Sequence, residues 1–140
     1  MESKVCTLQP LDKAVMMHTC AERQKLDGAE RLANYEYTRR VCNGIGAEWF
    51  PEWLRDFVGK LTPALEPTAW IHDLDYEAGG GWRERRSADW RFLRNGFRAA
   101  CSEYAWDQLR RYATMATALR FWVLLRLFGA AAFEWRRREA

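Results

Sequence analysis

Histidine is almost missing from this chain. Only His18 and His72 occur among 140 residues, too few imidazoles for a histidine-built zinc centre. Four cysteines, Cys6, Cys20, Cys42 and Cys101, lie far apart with no CxxC pair. That spacing excludes a zinc knuckle and a disulfide-stapled secreted scaffold, and reduced thiols in a cytosolic setting are the expectation. The first ten residues hold no apolar run, so no signal peptide is expected. No internal repeat, low-complexity tract, zinc-finger spacing or helix-turn-helix signature occurs, and nothing marks a nucleic-acid reader. The most apolar stretch, Tyr112 to Arg137, is broken by Arg120 and Arg126. It offers no run of about eighteen uncharged residues, which argues against a transmembrane span.

What is present suits a small all-α protein of one domain. Hydrophobic content of 49% and aromatic content of 14% supply a real core without disulfides. Residues 1–40 read as an N-terminal helical segment of the same domain, and residues 41–140 as the main helical domain. Charge is divided unevenly. Residues 1–80 hold nine Lys/Arg against thirteen Asp/Glu, whereas residues 81–140 hold thirteen arginines against six acids. An arginine-rich half suits a solvated face, or a partner that carries phosphate or carboxylate.

The spacing of apolar residues predicts helices over Asp12–Leu26, capped by Asp12 and stopped at Gly28, and over Ala29–Arg40. A short amphipathic segment follows from Trp49 to Lys60. Two long helices are expected over Arg83–Arg111, with Trp90, Leu93, Phe97, Ala100 and Tyr104 on its apolar stripe, and over Tyr112–Arg137. The last is either a core helix or an interfacial one that presents Phe121, Trp122, Phe128 and Trp135 to lipid.

Between these lies the stretch that organises the chain, Glu66–Ala78. Pro67 fits a first helical turn and Gly79-Gly80-Gly81 ends the helix. His72 and Tyr76 stand one turn apart, with Asp73 beside them and Ile71, Leu74 and Ala78 on the apolar side. The triple glycine joins this helix to the next as an antiparallel pair. His72 and Asp89 lie about equally far from the turn's centre, roughly two helical turns from the bend, and so at similar height. A histidine held by a carboxylate on the facing helix is an oriented general base. Asp73 then remains for another task. A hard cation such as calcium takes carboxylate and carbonyl oxygens, and the glycine-bearing loop Cys42-Asn43-Gly44-Ile45-Gly46 has approachable carbonyls. Asp75 adds a second carboxylate one turn from His72, able to compete for it.

The loop Cys42-Asn43-Gly44-Ile45-Gly46, the His72-Asp73-x-x-Tyr76 motif and the later Ala88-Asp89-x-x-Phe92 together resemble the secreted-type phospholipase A₂ superfamily. The likeness is to its disulfide-poor members in particular, such as the parvovirus capsid lipase domain and small bacterial or phage relatives. It covers Val41 to Cys101. It implies that His72 deprotonates a water, that Asp89 orients His72, and that Tyr76 hydrogen-bonds Asp89. It further implies calcium held by Asp73 and the carbonyls of Cys42, Gly44 and Gly46, with the Gly44 N–H helping to stabilise the oxyanion. The substrate would be phospholipid at a membrane surface, cleaved at the sn-2 ester, by a cytoplasmic protein peripheral to that membrane. The sequence departs from the family where cysteines often flank the histidine, with Thr68, Ala69 and Asp75 there instead, and has Ala47 where a further glycine is common.

Two other readings stand beside it. A helical metal-dependent phosphohydrolase would gather His18, His72, Asp73 and Asp107 round a divalent ion. A non-catalytic interaction module or inhibitor, phage- or bacterium-encoded, would keep the scaffold and dock an acidic protein or nucleic acid through the arginine-rich half.

Overall fold

The computed structural model describes residues 9–42 and 63–136. The glycine-bearing loop beyond Cys42, including Gly44 and Gly46, and the segment expected from Trp49 to Lys60 lie outside the described residues. The protein is all-α. Helix α1 spans Leu11–Arg23 and α2 Tyr35–Val41; α3 spans Glu66–Ala78, α4 Trp82–Glu103 and α5 Leu109–Phe128. Short 3-10 turns occupy Ala29–Ala33, Pro63–Leu65 and Gly129–Ala131, and no strand occurs among the described residues.

Local chemistry sets most of these boundaries. Pro10, rather than Asp12, precedes the first turn of α1. Gly28 adopts a left-handed φ of 89°, but α1 has already ended at Arg23, and the Ala29–Arg40 stretch divides at Asn34. The Asn34 side chain accepts from the Tyr37 N–H at 3.3 Å, an N-cap that satisfies one of the orphan donors at the start of α2. Helix α3 begins and ends where its sequence pattern places it, at Glu66 and Ala78.

The break between α4 and α5 falls earlier than Arg111. Tyr104 is extended, at φ −129° and ψ 139°. The Ala105 N–H donates to Gln108 Oε1 at 3.1 Å, and the Gln108 N–H to the Ala105 carbonyl at 3.0 Å. Those bonds close a turn that contains neither glycine nor proline, which is why periodicity runs through it unmarked. The far end of α5 is cut at Phe128, before Gly129, rather than near Arg137.

The core is built round α3, which is buried on nearly every side. Trp70, Ile71 and Leu74 pack with Ala14, Met17 and Ala21 of α1 and with Leu32 and Leu65. Each fully buried large aliphatic side chain here contributes about 1.5–3 kcal/mol. A second cluster joins Ala69, Phe92 and Phe121, and a third joins Tyr76, Ala88 and Phe133. The pairs Tyr76 with Ala88, and Ala69 with Phe92, run in opposite order along α3 and α4, the sense expected of two helices reversed at the glycine turn.

The inward face of α4 is offset from the expected stripe. Leu93 and Ala100 are buried, but Trp90 and Phe97 are exposed, and Ala88, Phe92, Gly96 and Ala99 take their place. Small residues there allow close approach, since a Cβ on Gly96 would stand 2.7 Å from Ala118 Cβ of α5. Phe121 likewise belongs to the core, not to an outer face. By length and composition Leu109–Ala131 is a candidate to cross a membrane, although Thr114, Ala118 and Phe121 are buried within the fold.

The triple glycine has a second role. Gly79 and Gly80 take φ of 66° and 130°, conformations that favour glycine. The Gly80 N–H donates to the Glu134 carbonyl at 3.0 Å, the Glu134 N–H to the Tyr76 carbonyl at 3.2 Å, and the Arg136 N–H to the Gly80 carbonyl at 2.9 Å. The segment after α5 therefore lies directly on the turn, and a Cβ on Gly79 would collide with Glu134.

Candidate active site

His72, Tyr76 and Asp89 meet across the α3–α4 turn. His72 Nε2 lies 2.9 Å from Asp89 Oδ1, and the Tyr76 hydroxyl donates to the same oxygen at 2.6 Å. The helical spacing of four puts His72 and Tyr76 over one another, with ring centroids 4.1 Å apart. Phe92 meets the imidazole edge-on at 5.3 Å, and Phe133 meets Tyr76 edge-on at 5.2 Å. Asp89 is completely buried.

A carboxylate so placed needs compensation, since an uncompensated buried charge costs several kcal/mol. Its second oxygen receives it from an unexpected quarter. Arg126 of α5 donates through Nη1 to Asp89 Oδ2 at 2.7 Å. Burial alone would push Asp89 upward, but the hydrogen bonds from His72, Tyr76 and Arg126 prevail and hold its carboxyl below the usual range. Burial, followed by the bond to Asp89, pushes the Tyr76 hydroxyl well up, so it stays a donor. An ionised Asp89 can only accept, so Nε2 carries the imidazole proton and Nδ1 of neutral His72 carries the lone pair, a tautomer assigned from the network.

Arg126 was not among the expected site residues, yet it carried a signal. A charged side chain between Leu125 and Leu127, in the most apolar stretch, is costly unless it has a partner. Arg85 supports the same corner. It is buried, and its Nη2 donates to the carbonyls of Leu125 at 2.7 Å and Arg126 at 3.1 Å. Gly129 closes the corner, since a Cβ there would stand 2.6 Å from the Tyr76 hydroxyl.

Asp75 does not compete for His72. It pairs with Arg31 and, at 2.9 Å, with Arg91 Nη1, whose Nε reaches Asp27 Oδ2 at 3.1 Å. These ion pairs tie the Asp27 turn to α3 and α4. His18 is occupied elsewhere, with Nδ1 2.9 Å from the Tyr35 hydroxyl and Nε2 3.3 Å from Glu22. Among the described residues no three His, Cys, Asp or Glu side chains group to hold a metal, which leaves the phosphohydrolase reading without a structural footing there.

Of the residues expected to hold calcium, Asp73 and Cys42 are described. Cys42 follows α2 in an extended conformation, and its thiol donates to the Trp70 carbonyl of α3 at 3.3 Å. Burial, and then the charge of Asp73, pushes that thiol well up. The Asp73 carboxylate and the Cys42 main-chain carbonyl are both hard oxygen donors, the kind that calcium takes. The described pair fits a calcium ion in kind.

No family model matches the chain, and no curated protein or solved structure was found to match it.

Proposed function

We propose that the protein is a phospholipase A₂-type hydrolase that cleaves a phospholipid carboxylic ester, at the sn-2 position, with His72 as general base. The observation that carries this reading is the buried Asp89 carboxylate, which accepts from His72 Nε2 at 2.9 Å and from Tyr76 at 2.6 Å. Asp89 fixes the imidazole with Nδ1 as the basic nitrogen, and Nδ1 takes a proton from water as the water attacks the ester carbonyl. The imidazolium that results is stabilised by the same carboxylate and later returns the proton to the leaving alkoxide. Positioned proton transfer of this kind contributes roughly 10²–10⁴ in rate.

Asp73 and the Cys42 carbonyl would hold calcium, with Gly44 and Gly46 completing the set by the family resemblance. When bound, calcium supplies Lewis-acid stabilisation of negative charge on the ester oxygen. Tyr76 and Arg126 are positioning residues. Tyr76 shares Oδ1 with His72 and Arg126 holds Oδ2, so that the geometry of Asp89 toward His72 is not left to solvent.

The test is release of fatty acid from mixed phospholipid vesicles, with and without calcium, beside His72→Gln. A calcium-dependent signal that disappears in the variant is expected. Equal signals from the two proteins would refute the mechanism. Absence of hydrolysis in both would favour the interaction-module reading.

A further inference from the structure

Helix α5 has two unlike sides. Thr114, Ala118 and Phe121 face inward. On a wheel of 100° per residue, the opposite side carries Leu109, Tyr112, Leu119, Val123 and Leu127. All five are exposed, Leu109 by 83% and Leu127 by 67%. A continuous apolar face of five side chains on a helix about 30 Å long is more than the scattered surface leucines of an ordinary fold, and it marks a docking surface.

The charges on the helix decide between occupants. Helix α5 contains Arg110, Arg111, Arg120 and Arg126 and no acidic residue. Arg126 is committed to Asp89, while Arg110 and Arg120 are exposed, Arg120 at the flank of the apolar face about midway along it. Two copies of such a helix laid face to face would oppose cation to cation with no carboxylate on either to relieve it. A nucleic acid would meet the arginines but leave the leucines without a partner. An anionic lipid surface answers both, since aliphatic side chains enter the acyl boundary while guanidinium groups reach the phosphates. Exposed aromatics suited to that boundary stand near the two ends of the helix, Trp106 at 75% exposure with Tyr112 near its start, and Phe128 and Trp135, each about half exposed, near its end.

We infer that the outward face of α5 docks the protein flat on an anionic phospholipid surface. The helix does not cross the bilayer in this state, because its inner side is packed on α4 and Arg126 is held by Asp89. The inference deepens the lipolytic reading by naming the face that meets the membrane and the lipid charge it selects, but docking needs no chemistry and can be measured without it.

The experiment is co-sedimentation with vesicles of ether-linked phosphatidylcholine, which have no ester to cleave, with and without a minority of phosphatidylglycerol. Wild type is expected to bind the anionic vesicles and not the neutral ones, with binding that falls as salt is raised. Arg120→Gln should weaken binding roughly fivefold, the effect of one cation near an anionic surface. Leu119→Ser with Val123→Ser should weaken it at least about tenfold. Both residues are exposed, so an unchanged thermal transition confirms that the double variant is folded. His72→Gln should bind as wild type does. Failure to bind anionic vesicles, or binding indifferent to the double variant, overturns the inference. So does a solution dimer that the double variant dissociates, or a preference for oligonucleotide over vesicles. Vesicle binding without hydrolysis of ester lipids would leave docking intact and remove the hydrolase reading; hydrolysis without binding would do the reverse.

Discussion

Arg126 offers the sharpest test of the site. Its Nη1 stands 2.7 Å from Asp89 Oδ2, with Asp89 fully buried and the Arg126 side chain 30% exposed. Breaking a wholly buried ion pair costs about 3–5 kcal/mol, whereas exposed pairs contribute about 0–1 kcal/mol. A pair buried on one side only falls between, and a coupling energy of about 1–3 kcal/mol is expected. The assay is urea denaturation of wild type, Arg126→Gln, Asp89→Asn and the double variant, read as a double-mutant cycle. Each single variant should be destabilised, and the double variant by less than the two together. A coupling energy below about 0.5 kcal/mol, the level of additivity between independent sites, would refute the claim that Arg126 compensates Asp89. The cycle also has a pH signature. A depressed carboxyl contributes stability that is present above its unfolded pKa of about 3.9 and is lost as pH falls through the folded value. Arg126→Gln removes one cause of the depression, so its acid unfolding should begin at higher pH than that of wild type.

Three further outcomes follow from other parts of the fold. Tyr76 titrates above its unfolded value of about 10, so its contribution is complete below that pH and lost as pH rises through the folded value; Tyr76→Phe should remove that alkaline component from a stability–pH curve. Gly96→Ala should lower stability by about 1–3 kcal/mol through overpacking against Ala118, and Ala118→Gly in the same chain should recover part of it, whereas a loss untouched by the second change would place the strain elsewhere. Cys42, buried and with its thiol pushed up, should resist a thiol reagent that labels exposed Cys101, and become reactive only on unfolding; labelling at equal rates in the native protein would contradict its placement.

Much of the site was legible because it is local. Helix α3 announces itself through Pro67 and the glycines, and the four-residue step from His72 to Tyr76 is a property of any helix. Counting outward from the turn sufficed to bring Asp89 opposite His72. What stayed hidden depends on contacts that no short window contains. Arg126 reaches Asp89 over 37 positions, and in its own neighbourhood it reads only as a flaw in an apolar stretch. The turn at Tyr104–Gln108 is made by a side-chain amide rather than by glycine or proline, so the boundary between α4 and α5 shifted. Trp90 and Phe97 share the three-and-four spacing of Leu93 and Ala100, whereas the buried face of α4 is turned toward Ala88, Phe92, Gly96 and Ala99, where small residues permit close contact.

The order in which these parts leave the ribosome has a consequence of its own. Synthesis proceeds at about 5–20 residues per second, and His72, Tyr76 and Asp89 are all made well before Arg126 and Glu134. Until those later residues emerge, Asp89 lacks its guanidinium and the glycine turn lacks the strand-like segment that lies on it. A nascent α3–α4 pair is therefore an unfinished site with an exposed or unpaired carboxylate, and a chain interrupted before Arg126 would keep every residue of the dyad and still be unable to bury it. The competence of the site is timed to the making of the last helix.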